Sequence, residues 1–268
     1  MGSHQRYRPH WLLPAQARII ALGVVAAVTS AAGLVVTAAA SGSTGTTVYS
    51  STGSGYEVSG RWFHYVKTRI ELPTNAVCAQ LYKVVHPGTF SVMTELSNPD
   101  TYVQLVISDT PTSTGCGKYA ATWVHDGTVT AVPFPMAAGD RIKMWTFYDQ
   151  TSPPISGEHS VGGHLFNATT GAGSAVGDLA NATFTNAQII GGYGSFIAPA
   201  AQFRAFEFTN SAVETYTGAR GTLTGPWTTS QVVMTSNGQS GGAVEASSPV
   251  LWDGGRNFGT WARAATSG

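Results

Sequence analysis

Val66-Lys67-Thr68-Arg69-Ile70-Glu71-Leu72-Pro73 alternates residue by residue, with Val66, Thr68, Ile70 and Leu72 on one side and Lys67, Arg69 and Glu71 on the other. Successive side chains of an extended chain point to opposite faces, so the run predicts a half-buried antiparallel strand closed by Pro73. Similar alternation recurs in Arg141 to Tyr148, Phe203 to Thr209 and Gln231 to Thr235, and Phe258 to Ala262 extends the series. Gly and Pro interrupt these runs at short intervals, as in Pro87-Gly88, Gly115-Cys116-Gly117, Gly139-Asp140, Pro153-Pro154 and Gly225-Pro226. Beyond the first 40 residues no stretch sustains helical periodicity, and the pattern predicts an all-β sandwich. Ala168 to Ala182, rich in Gly, Ala and Thr, reads as a long loop over one sheet.

The chain opens differently. Arg6, Arg8 and Arg18 precede an uncharged apolar stretch from Ile19 to Ala40, and Ala38-Ala39-Ala40 supplies small residues of the kind found at cleavage sites. Residues 1–40 therefore read as an export signal, with an uncleaved anchor as the alternative because about 22 apolar or small residues just span a bilayer. Residues 41–55, SGSTGTTVYSSTGSG, read as a Ser/Thr/Gly-rich linker, and residues 56–268 as one folded domain. Removing residues 1–40 leaves 11 Lys and Arg against 14 Asp and Glu. That balance offers no basic footprint for nucleic acid, and signal cleavage would leave no membrane contact. A secreted destination follows, with few charges and abundant Gly, Ser and Thr.

Cys78 and Cys116 both lie in the exported part, where an oxidising environment favours a disulfide. Two cysteines and the scattered His64, His86, His125, His159 and His164 show no ligand spacing for a metal, and no cofactor is expected.

Gln104 stands alone as an amide in Thr101-Tyr102-Val103-Gln104-Leu105-Val106-Ile107, otherwise a buried-strand pattern. It shares a face with Tyr102 and Val106. Burying an unpaired amide costs roughly 1–3 kcal/mol, so Gln104 is either hydrogen-bonded inside the protein or aimed into a cleft. Other motifs carry less. Asn237-Gly238-Gln239-Ser240-Gly241-Gly242 is similar to the nucleophile segment of trypsin-like serine proteases, but no His-bearing partner segment accompanies it, and a Gly-rich turn is the better reading. Asn167-Ala168-Thr169 and Asn181-Ala182-Thr183 match the glycosylation sequon without further support. Trp123, Trp227, Trp252 and Trp261 are aromatics able to stack on sugars, though each reads first as core.

In order along the chain come Tyr56-Glu57-Val58, Phe63-x-x-Val66 with Pro73, Gln104, Trp123, Ala138-Gly139-Asp140-Arg141-Ile142, Asn167-Ala168-Thr169, Ala187-Gln188-Ile189-Ile190, and Phe203 to Thr209. This colinear pattern resembles the eqolisins, the glutamic peptidases. The resemblance implies a lectin-like sandwich, of the concanavalin A type, built from two antiparallel sheets. It also implies a Gln and a Glu holding one water, the Glu as general base and then acid, the Gln amide stabilising the oxyanion, and endopeptidase activity at acid pH. Gln104 falls on the family's Gln. The family's Glu falls on Gly192, Phe90 stands where the family usually has Trp, Thr94 where it has Asp, and His125 where a Glu follows the Trp at Trp123. With Tyr102 and Tyr119, these residues are expected to line the cleft. The expected function is a secreted, catalytically degenerate sandwich that binds peptide or glycan in the old cleft or serves at the surface. The alternatives are an acid endopeptidase pairing Gln104 with a carboxylate such as Glu207 or Glu158, or with His125 as base, and a lectin-like module using Tyr102, Gln104 and Trp123.

Overall fold

The computed structural model describes residues 47–51, 53–85, 89–151, 154–193, 203–235, 238–242, 244–247 and 251–262. The predicted export signal and residues 41–46 and 52 of the predicted linker lie outside them. In chain order the elements are β1 (Thr47–Ser50), β2 (Gly53–Ser59), β3 (Phe63–Glu71), α1 (Asn75–Val85), β4 (Phe90–Ser97) and β5 (Tyr102–Asp109). There follow β6 (Ala120–His125), β7 (Thr128–Val132), β8 (Arg141–Asp149), β9 (His159–Asn167), β10 (Gly173–Ala180) and β11 (Asn186–Tyr193). The last are β12 (Phe203–Thr215), β13 (Arg220–Gly221), β14 (Thr228–Thr235), β15 (Val244–Ser247), β16 (Leu251–Trp252) and β17 (Asn257–Ala262).

Two sheets pack face to face. The first runs β1-β14-β2-β11-β4-β5-β6-β7, antiparallel except for β1 beside β14. The second runs β17-β12-β3-β8-β9-β10, all antiparallel, with β13 also on β12 and β16 on β17. β15 pairs with both β14 and β17 and so joins the sheets at one side.

The core between the sheets takes one residue in two from each strand, as the alternation of residues 66–72 requires: Val66, Ile70 and Leu72 are buried there. Aromatic rings fill its centre, with Phe208 stacked on Phe258 at 4.5 Å, Tyr56 edge-on to Phe258 at 5.0 Å, and Phe206 against Phe90 at 5.4 Å. The sheets approach closely where β9 carries Gly163, since a Cβ there would lie 3.1 Å from the Leu105 side chain of β5.

Three expectations are corrected. Strands begin before Tyr56, because β1 and the first half of β2 lie within the stretch read as linker. Residues 173–180 form β10 rather than a loop: every residue of the strand pairs with β9, and as an edge strand open to solvent it needs no apolar pattern. The helix α1 also departs from the expected pattern. Thr74 caps it, its hydroxyl accepting the Val77 N–H at 3.5 Å, and within it Cys78 and Leu81, three apart, are fully buried. Cys78 is bonded to Cys116, which fastens the helix to the β5–β6 connection. Among the described residues no helix is long and apolar enough to cross a membrane.

Candidate functional site

Four strands of the first sheet bring together residues far apart in the chain. Glu57 on β2 is the Cα partner of Gln188 on β11, Gln188 of Glu95 on β4, and Glu95 of Gln104 on β5. They form one transverse row, alternately acid and amide, about 14 Å long from the usual strand spacing. The row lies on the face turned away from the second sheet, because the flanking Tyr56, Val58, Ala187, Ile189, Leu96, Val103 and Leu105 are buried in the core. Each amide engages one acid: Gln104 Nε2 donates to Glu95 Oε2 at 2.6 Å, and Gln188 Nε2 donates to Glu57 Oε2 at 2.7 Å.

Both acids are enclosed, Glu57 with 5% and Glu95 with 8% of its surface exposed. Burial first, and then the charge of Glu95 across the intervening strand, pushes the Glu57 carboxyl up to about 7 against the pull of its bond from Gln188. Burial likewise raises Glu95, opposed by hydrogen bonds from Ser97 and Gln104. Both acids are therefore held above the ordinary carboxylate range, Glu57 up to about 7, and the row offers neutral donors and acceptors at weakly acid pH. Glu57 can exchange its proton near neutrality.

Gly192 sits elsewhere on this face. Its cross-strand partners are Gly53 and Ser91, and Ser91 in turn pairs with Ser108, so its row carries no carboxylate. It lies four positions along β11 from Gln188, a distance of about 13 Å along the strand. The backbones of β2 and β11 lie close here: a Cβ on Gly55 would overlap the Ile189 carbonyl oxygen.

Several residues expected in the cleft point into the core instead. Thr94 is fully buried, its hydroxyl 2.9 Å from that of Thr146 on the opposite sheet. Phe90 packs on Phe206 and Tyr119, and the Tyr119 hydroxyl donates to the Pro73 carbonyl at 3.0 Å. Trp123, 2% exposed, is the Cα partner of Leu105 on the core side, which removes it as a sugar platform and as a neighbour of Gln104. His125 shares that parity, on the other face of β6 from Gln104, and bonds through Nδ1 to Asp178 at 3.0 Å, linking β6 to the edge strand β10 of the second sheet. Glu207 lies on the second sheet between the buried Phe206 and Phe208, and Glu158 belongs to the bridge with Ile155, so neither reaches the Gln104 row. Tyr102 stays on the Gln104 face, as its parity demands.

The acid beside Gln104 is Glu95, which the linear reading missed by one residue. Phe90, Val92, Thr94 and Leu96 are the buried parity of β4, so Ser91, Met93, Glu95 and Ser97 must share the Gln104 face. Glu57 was visible in the same way between Tyr56 and Val58. The signal was parity, and it applied to acids that no catalytic spacing singled out. Among the described residues the one group of potential metal donors is Cys78, Asp109 and Cys116, whose two sulfurs are bonded to each other.

The fold is that of the glutamic peptidases. Scytalido-glutamic peptidase, solved with a peptide-based transition state analog, superposes with a TM-score of 0.56 at 16% identity, over 81% of this chain and 100% of that one. SCP-B, a member of the eqolisin family solved in complex with the tripeptide Ala-Ile-His, gives 0.53 at 16% identity over the same shares. No protein-family model and no curated protein matches the sequence.

Proposed function

We propose that this chain is a secreted peptide-binding protein on the eqolisin fold, with the hydrolytic chemistry given up and the outer face of the first sheet kept as a groove for extended polypeptide. The observation that carries the reading is the direct 2.6 Å bond from Gln104 to Glu95, in a row whose other amide is likewise tied to Glu57. An amide bonded to a carboxyl has one N–H fewer for a water or an oxyanion, and the position matched to the family's general base is Gly192, with serines and a glycine around it. Neutral carboxyls and half-engaged amides suit a peptide backbone, which offers both donors and acceptors. The two solved relatives hold a peptide-based analog and a tripeptide, which supports the same class of ligand. The loss of Trp123 to the core removes the aromatic on which a sugar-binding reading of this face rested.

A second reading rests on the same contact: Glu95 and Gln104 as a working acid–amide couple. Because burial raises Glu95, such an enzyme would act at higher pH than an unperturbed carboxylate base allows. The two readings part in one experiment. The protein is incubated with an unfolded protein substrate from pH 2 to 8, and extended peptides are titrated into it by calorimetry. No cleavage, with peptide binding lost in Gln104→Ala, is the expected result. Cleavage that disappears in Gln104→Ala and in Glu95→Gln overturns the binding reading in favour of the enzyme, and absence of both signals overturns both.

A further inference from the structure

The outer face of the second sheet has a different character. Along β3 and β8 the outward residues pair as Glu71 with Arg141, Arg69 with Lys143, Lys67 with Trp145, and Tyr65 with Phe147. The first pair joins opposite charges. The second sets two cations directly opposite each other, an arrangement that destabilises a sheet unless something answers the charge. Among the described residues Lys67, Arg69 and Lys143 make no ion pair, and the buried Arg69 Nε has no hydrogen-bond partner. Lys143 finds only the Phe166 ring, 5.2 Å from its Nζ.

These cations border a hollow of about 320 Å³ whose lining includes Tyr65, Trp145 and Asn210 and no carboxylate. Its wall exists because β12 bulges between Thr209 and Ala212, with Asn210 in the left-handed region at φ 53°. On the far side Trp145 is stacked on His164 at 5.0 Å with the planes 6° apart, which fixes its ring.

We propose that this hollow binds an acidic polysaccharide, its acid groups held by Arg69, Lys143 and Lys67 and its sugar faces lying along Trp145 and Tyr65. Strand addition of an acidic peptide is closed off here, because β3 is paired on both sides by β12 and β8, and β8 by β3 and β9. A ligand must be held by side chains alone. Cations interleaved with aromatic rings suit a chain that carries charge and flat C–H surface in each repeat.

The test is calorimetric titration of the whole protein with an oligogalacturonate, a sulfated glycosaminoglycan fragment, an uncharged oligosaccharide of equal length, and poly-glutamate of equal charge. Binding of one or both acidic glycans, weakened by salt and absent for the uncharged sugar, is expected, and which glycan binds more tightly tells carboxylate from sulfate. Arg69→Gln and Lys143→Gln should each weaken it about tenfold or more, the loss of one charge-assisted hydrogen bond. Gln104→Ala should leave it unchanged, which separates this site from the groove on the first sheet. No binding, binding indifferent to Arg69→Gln and Lys143→Gln, or equal binding of poly-glutamate overturns the proposal.

Discussion

Glu57 shows how burial becomes a measurable property. Its carboxyl is held at about 7 in the folded protein against 4.5 for the free side chain, so between those values the native state binds a proton that the unfolded chain has released. Stability then falls as pH rises through this window: the contribution is fully present below about 4.5 and lost by about 7. Its size is up to roughly 3 kcal/mol, since each tenfold difference in proton affinity is worth about 1.4 kcal/mol. Glu95 acts in the same direction. Thermal unfolding should therefore give a higher Tm at pH 5 than at pH 7.5, and Glu57→Gln should flatten most of that slope; an unchanged slope would mean that Glu57 is not the buried acid responsible. At this scale the sequence was readable but easily misread by one position. Thr94 and Glu95 are adjacent, yet one joins Thr146 inside the core and the other joins Gln104 outside it, because a single step along a strand reverses the face.

The elements divide by how they are stabilised. Strands buried on one face, such as β3, β5 and β8, declare themselves through alternation, since the core selects every second residue. β10 and α1 do not. β10 takes its hydrogen bonds from β9 and its residues are mostly open to solvent, so Gly and Ala serve as well as Val. α1 is 11 residues long; among its described side chains Cys78 and Leu81 are buried, and one covalent bond fastens it. That bond closes a span of 38 residues, which in the chain-entropy model contributes about 3–4 kcal/mol. Reduction, or Cys78→Ala with Cys116→Ala, should lower the denaturant midpoint accordingly. A change in stability well under about 1 kcal/mol would show that the helix is held by packing alone.

In the whole molecule the two sheets meet through aromatic rings from both, and Phe208 touches Phe206 and Phe258 while fully buried. Phe208→Ala should cost about 3–5 kcal/mol and lower Tm by on the order of 10 °C, as read by calorimetry; a loss below about 1 kcal/mol would mean that the sheets close over the gap. The same architecture is shared with glutamic peptidases at 16% identity, since a sandwich asks for parity and volume at its core positions more than for particular residues. The sequence by itself determined the all-β class, the buried face of its well-patterned strands, the one possible disulfide, and the placing of Gln104 with Tyr102. Only the tertiary structure decided that positions 57, 188, 95 and 104 stand side by side, and that Arg69 faces Lys143. Parity is a local property of one strand, whereas strand order is settled by pairing between segments remote in the chain, and these rows of side chains exist only across strands.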